Sequence, residues 1–251
     1  MKIGLLTAGS DSPGVNAAIR GFGKAASSLD NIELIGFRDG FSGLVQNHTI
    51  DLLTEGLLSG ILTEGGTILG TSRQVPSAMK EGEEQVDRTQ EAVDAYRKNG
   101  LDALVCIGDK SSQLAAYQLS QAGLNIITMP RSAENDVPCT DKCIGFDSAR
   151  EIATQAIDRL HTTANATHRI MIVELLGNSS GWLTLGAGLA AGADVILVPE
   201  IPYHFDVIIQ AIQERKKAGR IFSLVTVAEK ARPRELVEFM EMAAQKKGGT
   251  S

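Results

Sequence analysis

The feature that most constrains the fold of this chain is a short apolar run. It recurs along the sequence, closed each time by a Gly, Asp or Pro turn. Such runs occupy residues 3–7, 33–37, 103–107, 125–129, 170–175, 195–198 and 222–227. They are close to continuously apolar, the pattern of strands covered on both faces in a parallel sheet. Helical patterns separate them. Between residues 147 and 164, Ala149, Ile152, Ala153, Ala156, Ile157 and Leu160 share one face; Phe205, Ile208, Ile209 and Ile212 make a second stripe. Strand alternating with helix predicts an α/β protein, doubly wound around mostly parallel sheets. Residues 65–76 and 80–85 are polar and read as surface loops, and the Gly-containing tail 245–251 as frayed.

Composition narrows the functions. With 251 residues, 43% hydrophobic and 22% charged, the chain holds ample material for a core and is not a disordered sequence. A net charge of −6 without a long basic run argues against duplex nucleic acid. Anionic ligands stay open, because local Arg side chains and helix N-termini hold phosphate even in an acidic protein. Cys106, Cys139 and Cys143 are read as reduced thiols. No apolar run reaches the ~18 residues of a membrane span. The first apolar stretch is too short for a signal peptide. The expectation is a cytoplasmic protein without membrane or nucleic-acid partners.

Ligands in open parallel sheets bind beyond the carboxyl ends of the strands, so four loops carry the argument. The first, Gly9-Ser10-Asp11-Ser12-Pro13-Gly14, runs into a helix near Val15 and presents backbone N–H groups to an anion. It is neither a Walker A loop nor a dinucleotide fingerprint. A capped turn is the plain alternative. The second, Gly65-Gly66-Thr67-Ile68-Leu69-Gly70-Thr71-Ser72-Arg73, brings glycines, hydroxyls and a guanidinium suited to phosphate. The third, Gly108-Asp109-Lys110-Ser111-Ser112, follows a strand. Asp109 there suits either a magnesium ion with phosphate or a helix N-cap. The fourth, Pro130-Arg131-Ser132-Ala133-Glu134-Asn135-Asp136-Val137-Pro138, sets two carboxylates two residues apart between prolines. One of them is placed to accept a hydroxyl proton, the alternative being a solvated acidic loop.

These loops, in this order, resemble the ATP-dependent 6-phosphofructokinase family over residues 1–231. Gly145-Phe146-Asp147-Ser148-Ala149, Gly181-Trp182-Leu183 and Pro199-Glu200 also fall in register with it. The resemblance implies a two-lobe architecture with an incomplete second lobe. Its expected boundaries are 1–136 for the nucleotide lobe, 137–231 for a partial sugar-phosphate lobe and 232–251 for a terminal helix and tail. It also implies transfer of a phosphoryl group from Mg-ATP to fructose 6-phosphate in glycolysis. Gly9, Ser10, Arg73, Gly108, Asp109, Lys110 and Ser111 then fall at the nucleotide, with Asp109 on Mg²⁺. Glu134 stands where the family has its Asp base, Asp136 at the second Asp of that motif, and Ser132 at an assisting Thr; Arg73 joins them in catalysis. Arg169 and Glu229 match sugar-phosphate ligands. Arg20, Lys24 and Asp194 match effector contacts. The resemblance further implies a homo-oligomer, Arg169 reaching the site of a neighbouring subunit.

The departures from the family pattern lie in the same loops. Ser10, Ile107 and Lys110 stand where glycines are usual, Glu134 replaces Asp, and Leu176-Gly177-Asn178 replaces a segment that ends in a cation. Arg131 stands where pyrophosphate-using relatives carry Lys, which leaves the donor open between ATP and pyrophosphate. No counterpart of the family's later sugar-phosphate segment is seen in 232–251; Leu236, Phe239, Met240 and Ala243 suggest one amphipathic helix instead. Impaired phosphotransfer is therefore the expectation, with a non-catalytic binder of nucleotide or of a partner subunit as the alternative.

Overall fold

The structure, a computed structural model, describes residues 1–238. The chain divides into two compact units, residues 1–132 with 137–146, and residues 133–136 with 147–251.

Unit 1 opens with β1 (Lys2–Ala8), α1 (Val15–Ser27), β2 (Glu33–Phe37), α2 (Phe41–Val45) and β3 (Thr49–Asp51). A hairpin of β4 (Met79–Glu81) and β5 (Glu84–Val86) follows. It leads to α3 (Thr89–Lys98), β6 (Ala103–Gly108), α4 (Lys110–Gln121) and β7 (Ile126–Pro130). The main sheet has the order β3-β2-β1-β6-β7, parallel except for β3. Alternating side chains build a core on each face. Leu5, Val105 and Ile107 pack with Val15 and Ile19 of α1 on one side. Leu6, Leu104 and Cys106 pack with Phe41 of α2, Val93 of α3 and Ala116 of α4 on the other. Two-sided burial is why these strands read as continuous apolar runs. Residues 80–85, expected as a loop, form most of the β4–β5 hairpin. Their short strands are polar because they lie outside the main sheet, and hydropathy alone carries no signal there.

Unit 2 holds α5 (Phe146–Thr167), β8 (Ile170–Leu175), α6 (Trp182–Ala190), β9 (Val195–Leu197), α7 (Phe205–Lys217) and β10 (Ser223–Ala228). Its sheet is parallel, in the order β8-β10-β9. Helix α6 lies close to it because Gly188 leaves no room for a Cβ beside Thr226 and Ile196. Two expectations need correction here. The α5 stripe buries Ala153 and Ile157, but Ile152 and Ala156 are exposed. The α7 stripe exists, yet none of its residues is buried. Periodicity marks the apolar face of a helix without ensuring that anything lies on it. Residues 234–238 are helical; Phe239, Met240 and Ala243 of the expected terminal helix, and the tail after them, lie outside the described residues.

The contrast between units sets a stability test. Leu104→Ala, fully buried in one core of unit 1, should cost about 2–5 kcal/mol. Ile209→Ala on exposed α7 should stay within ~0.5 kcal/mol. Urea unfolding of both variants checks the difference.

Candidate functional site

In unit 1 the phosphate-type loops share one anchor. Strands β1 and β6 end level, with Ala8 paired to Gly108. Asp109 follows as N-cap of α4, accepting from Ser112 N at 3.1 Å, Ser112 Oγ at 2.9 Å and Ser111 Oγ at 2.8 Å. Its other oxygen accepts from Ser10 N, in the first Gly-rich loop, at 3.1 Å. Partial burial pushes the Asp109 pKa up, but the bonds from Ser111, Ser112 and Ser10 together outweigh it and hold the carboxyl below its ordinary value. The two sequence readings of Asp109, cap and charged ligand, therefore hold together in one side chain. Gly9 has φ +93°, and an added Cβ would overlap the Asp109 carboxylate. Glycine is required at that position on both counts.

The second Gly-rich loop is stapled to the first. Gly9 N donates to Ser72 O at 2.9 Å, and Thr71 Oγ1 donates to Gly9 O at 2.8 Å. From α1, Asn16 Oδ1 accepts from Ile68 N at 2.9 Å. Arg73, Lys110 and Ser111 are exposed beside these anchored backbones. Arg131 was legible from the sequence only as a cation of the fourth loop. It is 2% exposed, among the most buried large side chains, and its Nη2 donates to Ala8 O at 2.7 Å. Burial lowers its pKa, while the negative charges of Asp109 and Asp11 oppose that. Ser132 beside it is buried, its N–H donating to Ile144 O at 3.1 Å.

Unit 2 carries the carboxylates. Between Glu134 and Asp136, Asn135 takes φ +55°, a left-handed kink that Asn tolerates better than most side chains. Glu134 Oε2 accepts from Asn178 N at 2.7 Å, and Ser180 Oγ donates to Glu134 O at 3.2 Å. Burial raises the Glu134 pKa; the Asn178 N–H works against this, and the negative charges of Asp136 and Glu229 add to it. The turn from 177 to 181 is itself held. Gly181 N donates to Glu200 Oε1 at 2.8 Å and Lys230 N to Gly177 O at 2.9 Å. Beside the turn lies a cavity of about 370 Å³ lined by Asn178, Ser179, Glu200, Lys230 and Arg232 among others. Asn178 N–H as the partner of Glu134 was not legible in the sequence, since a backbone donor has no residue signature. Glu229 and Arg169 are exposed on this unit. Asp194 is engaged by Arg215 Nη2 at 2.7 Å and by Leu224 N at 2.8 Å. Arg20 is half-buried and Lys24 exposed on α1 of unit 1.

No group of three His, Cys, Asp or Glu suited to a metal occurs among the described residues. Asp109 alone fits a weaker requirement. It is an ionised oxygen ligand flanked by hydroxyls, the donor chemistry of Mg²⁺ that draws its remaining ligands from phosphate and water.

Fold and loops together define an α/β protein with Gly-rich turns at the carboxyl ends of a parallel sheet. The family described as Phosphofructokinase matches residues 2–250, and the chain belongs to that family. It is 53% identical over 233 residues to the ATP-dependent 6-phosphofructokinase of Propionibacterium freudenreichii, covering 92% of this chain and 62% of that one. The ATP-dependent 6-phosphofructokinase of Spirochaeta thermophila is 47% identical over 236 residues, with 92% and 64% covered. The chain thus spans somewhat under two thirds of the length of these relatives. Among solved structures, phosphofructokinase from Saccharomyces cerevisiae matches with TM-score 0.80 at 29% identity, over 94% of this chain and 34% of that one. A pyrophosphate-dependent phosphofructokinase from Marinobacter aquaeolei, at 21% identity and TM-score 0.78 over 93% of this chain and 62% of that one, shares the fold. No described helix is long and apolar enough to cross a membrane.

Gly9→Ala tests the shared anchor. Its Cβ must displace the Asp109 carboxylate from a strained backbone, so a loss of about 1–3 kcal/mol in denaturant unfolding is expected. Calorimetry should show ATP affinity falling with it.

Proposed function

We propose that the chain acts as a phosphofructokinase-type phosphotransferase in the cytoplasm, with Mg-ATP as donor and the 1-hydroxyl of fructose 6-phosphate as acceptor. The reading rests on Asp109, kept ionised where the first Gly-rich loop meets the start of α4. In this reading the N–H groups of the Gly9 loop, Ser111 and the α4 N-terminus hold phosphate oxygens, and Arg73 and Lys110 neutralise them. Asp109 would hold the Mg²⁺, which spreads the charge of the transferring phosphoryl group when bound. Glu134 accepts the hydroxyl proton as the sugar oxygen attacks phosphorus and ADP leaves. Asp136 and Ser132 help to orient that exchange, and Glu229 and Arg169 bind the sugar phosphate, Arg169 in a homo-oligomeric neighbour. The names of the similar ATP-dependent relatives support ATP as donor; Arg131 and the pyrophosphate-dependent fold neighbour keep pyrophosphate as the second donor to test.

Glu134 sets the expected rate. One extra methylene relative to the family's Asp moves its carboxylate by ~1 Å, a shift that costs up to ~10²-fold. A second reading, a nucleotide binder without turnover, is favoured by Asn178, whose exposed side chain stands where the family carries a cation.

An assay with Mg²⁺, fructose 6-phosphate and either ATP or pyrophosphate separates the two readings. The first expects slow turnover that Glu134→Gln lowers by at least ~10²-fold. No turnover with either donor, together with ATP binding by calorimetry, selects the second.

The pH profile follows from the buried base. A carboxyl with a raised pKa is neutral below that pKa and cannot accept a proton. Activity should therefore fall with decreasing pH through an acid limb centred above 4.5, the ordinary Glu value. An acid limb at or below the ordinary value in a kcat profile would remove Glu134 as the base.

A further inference from the structure

The sequence holds a single Asn-Gly step, Asn99-Gly100, at the turn between α3 and β6 of unit 1. This dipeptide carries chemistry of its own. With no Cβ on residue 100 in the way, the Gly100 nitrogen can attack the side-chain carbonyl carbon of Asn99. A bond forms between that nitrogen and Cγ, closing a succinimide ring. The bond from Cγ to Nδ2 breaks, and Nδ2 leaves as ammonia with the proton that Gly100 gives up. Water then opens the ring at either carbonyl, giving aspartate or an isoaspartate whose main chain runs through the side chain. The step needs water alone as co-reactant.

The structure shows both reacting groups and what restrains them. Gly100 is exposed at φ +62°, with open space where a Cβ would stand. Its nitrogen donates to Arg97 O at 2.9 Å. Asn99 caps α3 at φ −80° and ψ −6°, which turns that nitrogen toward the helix and away from its own side chain. The leaving group is held as well. Asn99 Nδ2 uses both hydrogens, donating to Asn47 Oδ1 at 2.5 Å and to Ala95 O at 2.7 Å. Asn47 follows α2 and is itself fixed, at φ +56° with its N–H on Leu44 O at 3.1 Å. Ring closure must release the Asn99 side chain and the Gly100 N–H together. The Ala95 and Arg97 carbonyls belong to the end of α3 itself and are open to bonding there. The Asn47 bond comes from a segment 52 positions away, so it exists only in the folded chain.

We propose that Asn99-Gly100 is a self-modification site of this chain, a succinimide-forming step that Asn47 holds in check through the Asn99 side chain. After conversion, residue 99 carries a carboxylate where an amide donor stood. It then faces two acceptors, Asn47 Oδ1 and Ala95 O, and places negative charge at the C-terminal end of α3, where the helix dipole opposes it. The tie between α2 and α3 is lost, and refolding does not restore it. Helix α3 supplies Ala92 and Val93 to one core of unit 1, so conversion loosens that core from its rim. The proposal does not depend on the phosphotransferase reading.

Peptide mass spectrometry across residues 99 and 100 tests it, on the chain incubated at mildly alkaline pH, folded and in urea. Residue 99 should convert in urea, and at least about tenfold more slowly in the folded chain, where the three bonds must open first. Asn47→Gly suits the positive φ and removes the acceptor. It should speed conversion of the folded chain about fivefold and leave the rate in urea unchanged. Asn47→Ala lacks the acceptor without the flexibility of glycine and should do the same, with circular dichroism confirming that both variants are folded. Asn47→Asp keeps an acceptor oxygen and should stay near the original rate. Asn99→Asp, which reproduces the aspartate product, should lower the Tm. Equal rates folded and in urea overturn the restraint. Folded Asn47→Gly and Asn47→Ala at the original rate leave protection to the helix end and overturn the role of Asn47. Absence of conversion in urea overturns the site itself.

Discussion

The Asp109 carboxylate organises the end of the unit 1 sheet. Strands β1 and β6 finish at the same level, so the two loops that follow them compete for the same space. The carboxylate settles that competition by accepting N–H groups from both, Ser10 on one side and Ser112 on the other. Glycine at position 9 is a steric consequence, because the carboxylate occupies the place of a Cβ. Arg131 completes the arrangement from below, its guanidinium buried and bonded to the last carbonyl of β1. A half-buried anion above a buried cation is costly to disturb from either side, since removing one leaves the other without compensation in a medium of low dielectric. The second Gly-rich loop joins this group through Thr71 and Ser72. The position of both Gly-rich loops thus follows from how two strand ends are tied together.

Much of this was legible in sequence because burial on both faces leaves a direct trace. The runs at 33–37 and 170–175 match β2 and β8 at both ends, and those at 3–7 and 103–107 fall one residue short of β1 or β6. The Gly-rich turns were visible because several of their glycines, Gly9, Gly14, Gly66 and Gly70, take a positive φ that favours glycine. The residues that escaped notice share a different property. Strand β3 and the β4–β5 hairpin are polar and short, so no run announces them. Arg131 reads as an ordinary loop cation; its burial depends on where β1 and β6 end, which no local pattern encodes. Asn178 acts through its backbone, and a backbone donor is the same for nearly every residue type.

Unit 2 shows the converse limit. The stripes on α5 and α7 were correctly read as single faces, but a face becomes core only when something lies on it. Helix α6 achieves this through Gly188, which brings its backbone close to β10. Helix α7 has no such contact and keeps Phe205, Val207 and Ile209 exposed. Strand β8 shows the same thing at the level of hydrogen bonds. Its run reads like those of unit 1, yet among the described residues it pairs with β10 alone. Periodicity identifies what could be buried, not what covers it.

Glu134 and the turn at 177–181 are joined by a direct hydrogen bond. Glu134 carries a methylene more than the family's Asp, and the structure shows where that length goes: the carboxylate reaches the N–H of Asn178. That turn is rigid, tied to Glu200 through Gly181 and to Lys230 through Gly177. Burial and the nearby Asp136 and Glu229 charges push Glu134 toward its neutral form, and the Asn178 N–H favours the charged form. A shorter side chain at position 134 would lose reach to this donor, and a mobile turn would lose the donor itself. The longer acid and the fixed turn therefore depend on each other. The Asn178 N–H dipole thus favours the charged form of a carboxylate that burial and neighbouring charges push toward its neutral form.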